Sequence, residues 1–315
     1  MRKKMSRVLR DMLAEDKCII APGCFDPLTG KIVESAGFRC AYMTGSGTSM
    51  FTLGWPDMAF VTLTEMAGNA GRIACMVDIP LISDADTGFG NALNVRRCVQ
   101  QFIQGGVAAI HLEDQIFPKR CGHTAGRICI SEEEMVGKIR AASDMRNELD
   151  PDFVIIGRCD FRGAVGGSLD GAISRSNAYV KAGADVVFVE GLLSVDELKY
   201  AVDNVKAPLL YNMGGLSPTL SEKELNDIGV KIVILAGAST TSAYRGVLDY
   251  MARVKEDLMY QKEYVEQRVS QGGNEVFRFV GFQKMQELEE KYLPKDMLDA
   301  RYSQTSIGTF QKEKE

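Results

Sequence analysis

Residues 80–90 read PLISDADTGFG, a short apolar run that ends in two aspartates and a glycine-rich turn. Residues at helical spacing follow, including Val95, Val99 and Phe102. The same order of apolar run, polar or glycine ending and helical segment recurs along the chain. The eight apolar runs are Cys18 to Pro22, Cys40 to Thr44, Pro80 to Asp84, Val107 to Leu112, Phe153 to Gly157, Ala184 to Val189, Pro208 to Tyr211 and Lys231 to Leu235. Strands that alternate with helices form a parallel sheet, and eight such units predict an α/β fold, a (β/α)8 TIM-type barrel.

The pattern changes after the eighth run. Charged amphipathic helices are predicted over residues 242–269 and 276–292, and the second has an apolar face that a barrel does not need. We therefore expect this apolar face to be buried between subunits. The predicted organisation is a catalytic barrel over residues 1–250, interface helices over 251–300 and a flexible tail over 301–315.

Composition excludes several classes of function. The 315 residues carry 37 basic and 42 acidic side chains with no long run of either sign, which argues against nucleic-acid binding. A small anionic substrate remains open, because one buried arginine can bind a carboxylate. No apolar stretch reaches the roughly 18 residues of a membrane span, and the eight cysteines are scattered without a C-x-x-C pair. We expect a cytoplasmic protein with no membrane partner.

Polar side chains stand where the predicted strands end, which in a barrel is the face that carries the active site. Asp84, Asp86 and Glu113 end neighbouring runs, and three converging carboxylates repel unless a cation joins them. Oxygen ligands favour Mg²⁺, with Mn²⁺ as a second choice. The alternative is that D-x-D is a solvated turn.

Two loops add candidate groups. Residues 44–49, TGSGTS, are interpreted as a turn whose backbone N–H groups hold a carboxylate, with an ordinary turn as the alternative. Cys121 follows Lys119 and Arg120, and nearby positive charge makes a thiol a proton donor or nucleophile. The alternative is an inert thiol. His111 is expected to pack or form a hydrogen bond at its strand end rather than act as a base.

These motifs resemble the isocitrate lyase and phosphoenolpyruvate mutase superfamily over about Arg7 to Leu293. The resemblance is carried by Thr44 to Gly47, Leu53 to Asp57, Asp84 to Gly90, Glu113 to Gln115, Lys119 to His123 and Arg158 to Asp160. The sequence Lys-Arg-Cys-Gly-His at residues 119–123 is typical of the lyase branch and is absent from the phosphonate mutases.

The resemblance implies a Mg²⁺-dependent carbon–carbon lyase that cleaves a 2-hydroxy di- or tricarboxylate, of the 2,3-dimethylmalate or 2-methylisocitrate type, to pyruvate and propionate or succinate. It also implies a homotetramer in which the C-terminal helical extension is swapped between subunits. The implied metal residues are Asp57, Asp84, Asp86 and Glu113. The implied substrate-binding residues are Thr44, Gly45, Ser46 and Arg158 for the 2-oxo acid half, and Gly122, His123, Glu190, Asn212 and Ser217 for the other half. The implied catalytic groups are Arg158, His123 and Cys121, which protonates the departing carbon, with Tyr42 as a candidate to assist deprotonation of the hydroxyl.

Three departures from the family pattern bear on the substrate. Thr44 and Cys159 replace the usual Ser and Thr, and the stretch after Asn212 is glycine-rich where relatives often place a glutamate. Tricarboxylate-cleaving relatives use a C-terminal arginine, for which Arg278 is the candidate in this chain. Because that match is not certain, a dicarboxylate substrate is favoured. The alternatives are hydrolysis of oxaloacetate to oxalate and acetate, a phosphonopyruvate mutase, and a non-catalytic binding protein.

Overall fold

The computed structural model describes residues 4–122, 124–270 and 275–302, and it confirms the predicted fold class. Eight parallel strands form a closed barrel in chain order. The strands are β1 (Ile19–Cys24), β2 (Ala41–Met43), β3 (Leu81–Asp84), β4 (Ala109–Glu113), β5 (Val154–Cys159), β6 (Val186–Val189), β7 (Leu209–Asn212) and β8 (Ile232–Leu235). Each of the eight predicted apolar runs overlaps one of these strands.

The barrel closes where β8 pairs with β1. Four residue pairs make this seam, from Ile19 opposite Ile232 to Pro22 opposite Leu235. Nearly every strand residue is buried, because side chains fill the barrel on one face of the sheet and helices cover the other. This burial on both faces explains why the strands read as continuous apolar runs rather than as alternating patterns.

Helices lie before, between and after the strands. They are α1 (Met5–Ala14), α2 (Pro27–Ser35), α3 (Gly45–Thr48), α4 (Leu63–Met76), α5 (Ala92–Gln104), α6 (Glu132–Leu149), α7 (Leu169–Ala182), α8 (Val195–Asn204), α9 (Glu222–Ile228), α10 (Ala238–Glu256), α11 (Tyr260–Ser270), α12 (Glu275–Phe279), α13 (Phe282–Tyr292) and α14 (Lys295–Tyr302). A π-helical turn spans Ser49–Leu53 and a 3-10 turn spans Phe161–Gly163. Within the described residues, no helix is long and apolar enough to cross a membrane.

Capping residues fix the ends of the barrel helices. Ser131 begins α6 by accepting a hydrogen bond from the amide of Glu134 at 3.1 Å. Gly183 ends α7 with φ of +112°, a left-handed conformation that glycine adopts without the steric penalty of a side chain. These caps start and stop the helices at fixed points.

The alternation of side chains along the strands places the polar strand ends inside the barrel. Ile82 and Ile156 belong to the apolar cluster that fills the barrel, and Asp84 and Arg158 stand two residues further along the same strands. Because successive side chains of a strand point to opposite faces, residues two apart share a face. The polar groups at the strand ends therefore rest on the apolar layers of the barrel.

The chain divides into two compact units, Met1–Ala243 and Tyr244–Glu315. The prediction of one continuous helix over residues 242–269 is wrong, because the chain leaves the helix between Glu256 and Tyr260. The helix predicted over 276–292 is also interrupted, at Gly281, whose φ is +89°. Exchange of these helices between subunits stays a prediction, and the tail from residue 303 lies outside the described residues.

Candidate active site

A pocket of about 350 Å³ opens at the carboxyl ends of the strands. Most of the predicted site residues line it. The pocket brings together residues from six strands and from the segments after β2, β4, β6 and β8. The lining residues are Tyr42, Thr44, Ser46, Asp57, Asp84, Cys121, Gly122, Arg158, Phe188, Glu190, Asn212, Ile234 and Ala236. The sequence prediction did not include Phe188, Ile234 or Ala236, which form an apolar wall.

Lys119 lies among the predicted metal ligands. Its Nζ is 2.6 Å from Oδ1 of Asp57 and 2.9 Å from Oδ1 of Asp86, and its side chain is 2% exposed. Burial would lower the pKa of Lys119, but the charges of Asp86 and the surrounding carboxylates raise it well above its usual value. Lys119 is therefore a buried ammonium ion that neutralises part of the carboxylate cluster, a role that its position beside Cys121 in the sequence did not reveal.

Asp84 is the carboxylate that its surroundings keep ionised. Its oxygens accept hydrogen bonds from the amides of Asp86 at 2.9 Å and Gly45 at 3.2 Å. Burial opposes its charge, but the positive charges of His111 when protonated, Lys119 and Arg158 lower the pKa of Asp84 to about 2. Burial itself lowers the pKa of His111 to about 4, so at neutral pH the effect on Asp84 comes from Lys119 and Arg158.

Asp86 has the opposite protonation tendency. Its backbone is left-handed, with φ of +47°, a conformation that non-glycine residues rarely adopt and that is found at functional sites. Burial raises the pKa of Asp86 to about 7, with Asp84 and Asp57 acting in the same direction and Lys119 against them. Its Oδ1 atom has the Lys119 ammonium within 2.9 Å but lacks the geometry of a hydrogen bond.

Glu113 is fully buried at the end of β4. Its Oε2 lies 3.2 Å from Nη1 of Arg158, yet neither of its oxygens has a hydrogen-bond partner among the described residues. Burial raises the pKa of Glu113 well above its usual value, although Arg158 and Lys119 oppose this. Buried oxygens without partners are costly, so this site is suited to an additional cation or water molecule.

The four predicted metal residues do not form a closed ligand shell. Within the described chain, no three histidine, cysteine, aspartate or glutamate side chains converge closely enough to hold a metal ion unaided. Mg²⁺ commonly uses one or two carboxylates and completes its shell with water and substrate oxygens. The metal assignment of Asp57, Asp84, Asp86 and Glu113 stays a prediction.

Arg158 is surrounded by carboxylates. Its Nε lies 2.8 Å from Oδ2 of Asp160, and its Nη2 lies 3.6 Å from Oε2 of Glu190. Asn212 donates to that same Glu190 oxygen at 3.4 Å. The guanidinium also stacks over the ring of Phe188, 4.9 Å from its centroid. Arg158 is the one lysine or arginine among the described residues that line the pocket, and these contacts hold it at the pocket wall.

Tyr42 and His111 form a buried pair beneath the pocket. The Tyr42 hydroxyl lies 2.9 Å from Nε2 of His111, which confirms that His111 forms a hydrogen bond at its strand end. Burial and the charge of Asp84 raise the pKa of Tyr42 well above 10, so the phenol keeps its proton at neutral pH. In that state Tyr42 is a poor general base and a good hydrogen-bond donor.

Cys121 and Gly122 bring the loop after β4 to the pocket. Cys121 is half-buried and, like the other seven cysteines, is a thiol rather than half of a disulfide. A Cβ added at Gly122 would overlap Nη2 of Arg158 and lie 3.2 Å from Cδ of Glu190. Glycine at this position therefore lets the backbone beside Cys121 approach the arginine closely.

The loop at residues 44–49 is more helical than the predicted turn whose backbone N–H groups hold a carboxylate. Thr44 caps the short helix α3, accepting from the amide of Gly47 at 3.3 Å, and a π-helical turn follows. The amide of Gly45 donates to Asp84, so it is not directed at a ligand. The Thr44 and Ser46 hydroxyls nevertheless line the pocket, 3.3 Å from each other.

Other predicted residues lie outside the pocket lining. Ser217 is in the loop after β7, where its amide donates to the carbonyl of Gly214 at 3.1 Å. His123 lies outside the described residues. Asp160 was quoted only as part of a motif, although it is the closest carboxylate to Arg158. Its position two residues after Arg158, directly after the end of β5, was the signal that could have identified it.

Comparison with known proteins shows which family the chain is similar to. The sequence profile of the family described as phosphoenolpyruvate phosphomutase matches residues 9–255. The chain is 43% identical over 251 residues to a 2,3-dimethylmalate lyase from Eubacterium barkeri, covering 79% of this chain and 86% of that protein. It is 34% identical over 307 residues to a 2-methylisocitrate lyase from Aeropyrum pernix, covering 96% of each chain.

Two solved structures resemble the fold closely. One is an oxaloacetate acetylhydrolase in complex with the inhibitor 3,3-difluorooxalacetate, with a TM-score of 0.82 and 33% identity, covering 91% of this chain and 97% of that one. The other is a phosphonopyruvate hydrolase in complex with oxalate and Mg²⁺, with a TM-score of 0.81 and 30% identity, covering 93% of this chain and 100% of that one.

Proposed function

The chain belongs to the phosphoenolpyruvate mutase and isocitrate lyase superfamily, and from that premise we propose that it is a carbon–carbon lyase that cleaves a 2-hydroxy dicarboxylate. The observation that carries this proposal is the presence of Arg158 and Cys121 in one pocket. Arg158 is a permanent positive charge that can bind a carboxylate, and Cys121 is a thiol that can donate a proton. Cleavage of a 2-hydroxy acid requires both functions.

The proposed reaction is the cleavage of the C2–C3 bond. The C2 hydroxyl gives its proton to solvent water and becomes the carbonyl of a 2-oxo acid. The electron pair of the broken bond moves onto C3 and into its carboxylate as an enediolate, and the Cys121 thiol then gives its proton to C3. A proton from solvent restores the thiol, which balances the proton that the C2 hydroxyl released. Arg158 stabilises the carboxylate of the 2-oxo acid, while Tyr42 in its protonated form donates a hydrogen bond.

The residues beside the pocket fit a magnesium ion. Glu113 has two buried oxygens without hydrogen-bond partners among the described residues, and Asp86 has one. Such carboxylate oxygens are the ligands that Mg²⁺ prefers. When bound, the ion would polarise the substrate oxygens and offset the negative charge that develops on them. We propose Asp86 as its nearest ligand, with Asp57, Asp84 and Glu113 around it, and Mn²⁺ as a substitute.

The lining of the pocket favours a dicarboxylate with alkyl substituents. Arg158 can bind one carboxylate, and the amide of Asn212 with the backbone at Gly122 can bind a second. A third would have neither a cationic nor an amide side chain left to bind it among the described lining residues, and burying it unpaired costs several kcal/mol. The apolar wall of Phe188, Ile234 and Ala236 can accept methyl groups, so 2,3-dimethylmalate, which yields pyruvate and propionate, is the proposed substrate type.

Hydrolysis of oxaloacetate is the second candidate, because a relative of similar structure is an oxaloacetate acetylhydrolase. Parallel incubations with 2,3-dimethylmalate and oxaloacetate in the presence of Mg²⁺ separate the two. We expect pyruvate and propionate from the first and little oxalate from the second. Rapid release of oxalate with no pyruvate would establish the hydrolase instead. A protein that turns over neither compound, nor 2-methylisocitrate, would contradict both.

A further inference from the structure

Asp160 is the point where two buried arginines meet beside the pocket. Its carboxylate accepts from Arg158, with Nε 2.8 Å from Oδ2 and Nη2 3.2 Å from Oδ1. It also accepts from Nη1 of Arg127, 2.9 Å from Oδ1. Burial would raise the pKa of Asp160, but the two guanidinium groups hold it below its usual value. Asp160 is therefore an ionised carboxylate shared between two positive charges.

The side chain of Arg127 is buried and passes close to Gly163 to reach Asp160. It is 8% exposed and comes from the segment between β4 and α6, which also carries Cys121. Its carbonyl accepts from the amide of Val165 at 2.9 Å. A Cβ added at Gly163 would overlap Nη2 of Arg127 and lie 3.2 Å from its Cζ. The guanidinium thus lies over a position where only a hydrogen atom fits.

A second link ties the same segment to Asp160. The Gln115 amide nitrogen donates to Oδ1 of Asp160 at 3.4 Å and to the carbonyl of Arg120 at 2.9 Å. The amide of Arg120 returns a hydrogen bond to Oε1 of Gln115 at 3.1 Å. The backbone next to Cys121 is therefore fixed to the carboxylate that also holds Arg158.

The charges around Arg158 give Arg127 a function. Arg158 has Glu113, Asp160 and Glu190 within 3.6 Å, and so many carboxylates would leave little attraction for a substrate anion. Because Arg127 also neutralises Asp160, that carboxylate offsets less of the charge of Arg158. Loss of Arg127 would pull Arg158 more fully onto Asp160 and away from the pocket.

We propose that Arg127 is a positioning residue that holds Arg158 in place, through Asp160, and keeps its positive charge available to the substrate carboxylate. This inference rests on the proposed function, in which Arg158 binds that carboxylate. It also makes the segment that bears Cys121 a partner in anion binding, since Arg127 and Gln115 both belong to that segment.

The test is oxalate binding to the full-length protein in MgCl2, measured by calorimetry and followed by kcat and KM. Arg127→Gln removes the charge, Arg127→Lys keeps it, and Gly163→Ala displaces the guanidinium without altering any charged group. Arg162→Gln is the matched control. Arg162 belongs to the adjacent 3-10 turn, and its Nη2 lies 2.6 Å from Oε1 of Glu197 in α8, so it pairs with that carboxylate and not with Asp160.

We expect the oxalate Kd to rise about tenfold or more in Arg127→Gln, with KM rising more than kcat falls, and to stay within about threefold in Arg127→Lys. Gly163→Ala should raise it by about fivefold, and the control should leave it within about twofold. Unchanged oxalate binding in Arg127→Gln would overturn the inference. If that variant does not fold, unchanged binding in Gly163→Ala overturns it.

A further variant, Arg158→Gln, separates this inference from the proposed function. If Arg158→Gln loses oxalate binding while Arg127→Gln and Gly163→Ala keep it, only the positioning role fails. If Arg158→Gln binds oxalate like the wild type, the proposed carboxylate site is wrong, and the role of Arg127 fails with it. A wild-type protein that binds no oxalate contradicts both.

Discussion

The ammonium nitrogen of Lys119 lies 2.9 Å from Oδ1 of Asp86, a residue held with a left-handed backbone. This contact connects the loop that bears Cys121 to the loop after β3. It also supplies, from the chain itself, a positive charge among carboxylates that would otherwise repel. The charge balance of the site therefore depends on Lys119 as well as on any bound cation.

Lys119→Met tests this balance. Removing one partner of a buried ion pair leaves an uncompensated charge, so we expect the free energy of unfolding to fall by about 3 to 5 kcal/mol in the presence of chelator. Addition of MgCl2 should raise the Tm of the variant more than that of the wild type, because the ion would replace the missing charge. Equal Tm values in chelator would show that Lys119 does not stabilise the carboxylate cluster.

Metal removal is expected to abolish turnover. Excess chelator should reduce activity by at least about a hundredfold, and MgCl2 should restore it, since the carboxylates supply the oxygen ligands of a hard cation. Asp86→Ala should show the same loss without recovery. Asp78→Ala is a suitable control, because Asp78 is an exposed carboxylate outside the pocket. Full turnover in excess chelator would show that the reaction does not require a metal ion.

The proton donor is tested by Cys121→Ser. A serine hydroxyl is a far weaker acid than a thiol, so we expect kcat to fall by about a hundredfold or more with an unchanged Tm. Cys129→Ser serves as the control, since Cys129 is also half-buried on this loop but contacts Asp114 at 3.4 Å outside the pocket lining. A near-normal rate for Cys121→Ser would exclude Cys121 from the mechanism.

Assembly is tested by ending the chain at residue 270. The helices beyond that point expose Val276, Phe277 and Met285 to between 44% and 53%. If these side chains are buried against a second subunit, the shortened protein should lose the tetramer in light scattering and should aggregate or become inactive. A chain ending at residue 302 is the control. A soluble, active monomer after truncation at 270 would refute the proposed interface.

The barrel could be predicted from the sequence because each buried strand appears as the same local pattern of apolar residues. Each apolar run is short, is followed by a helical segment and needs no long-range information to be recognised. The C-terminal helices were less predictable, because a continuous amphipathic pattern does not show where the chain leaves the helix near Asp257. The second interruption, at Gly281, could not be predicted from the sequence either, since a single glycine is tolerated within helices.

The site was predictable where chemistry and strand ends coincide, as for Asp84, Arg158 and Glu190. It was not predictable where a side chain crosses from one loop to another. Lys119 was interpreted as a cation beside Cys121, whereas its ammonium group lies among the carboxylates. Arg127 carries no motif of its own, and only the three-dimensional structure shows that it shares Asp160 with Arg158.

We propose that the pocket cleaves the C2–C3 bond of an alkylated 2-hydroxy dicarboxylate. The most direct measurement is product analysis and kcat/KM for 2,3-dimethylmalate with Mg²⁺, with 2-methylisocitrate as the comparison. We predict pyruvate and propionate in equal amounts, and a kcat/KM at least as high as for 2-methylisocitrate. A kcat/KM about a hundredfold higher for 2-methylisocitrate, ~2.7 kcal/mol of additional transition-state binding, would reveal a third carboxylate site, with Arg278 as the first residue to mutate. Absence of pyruvate from both compounds would contradict the lyase itself.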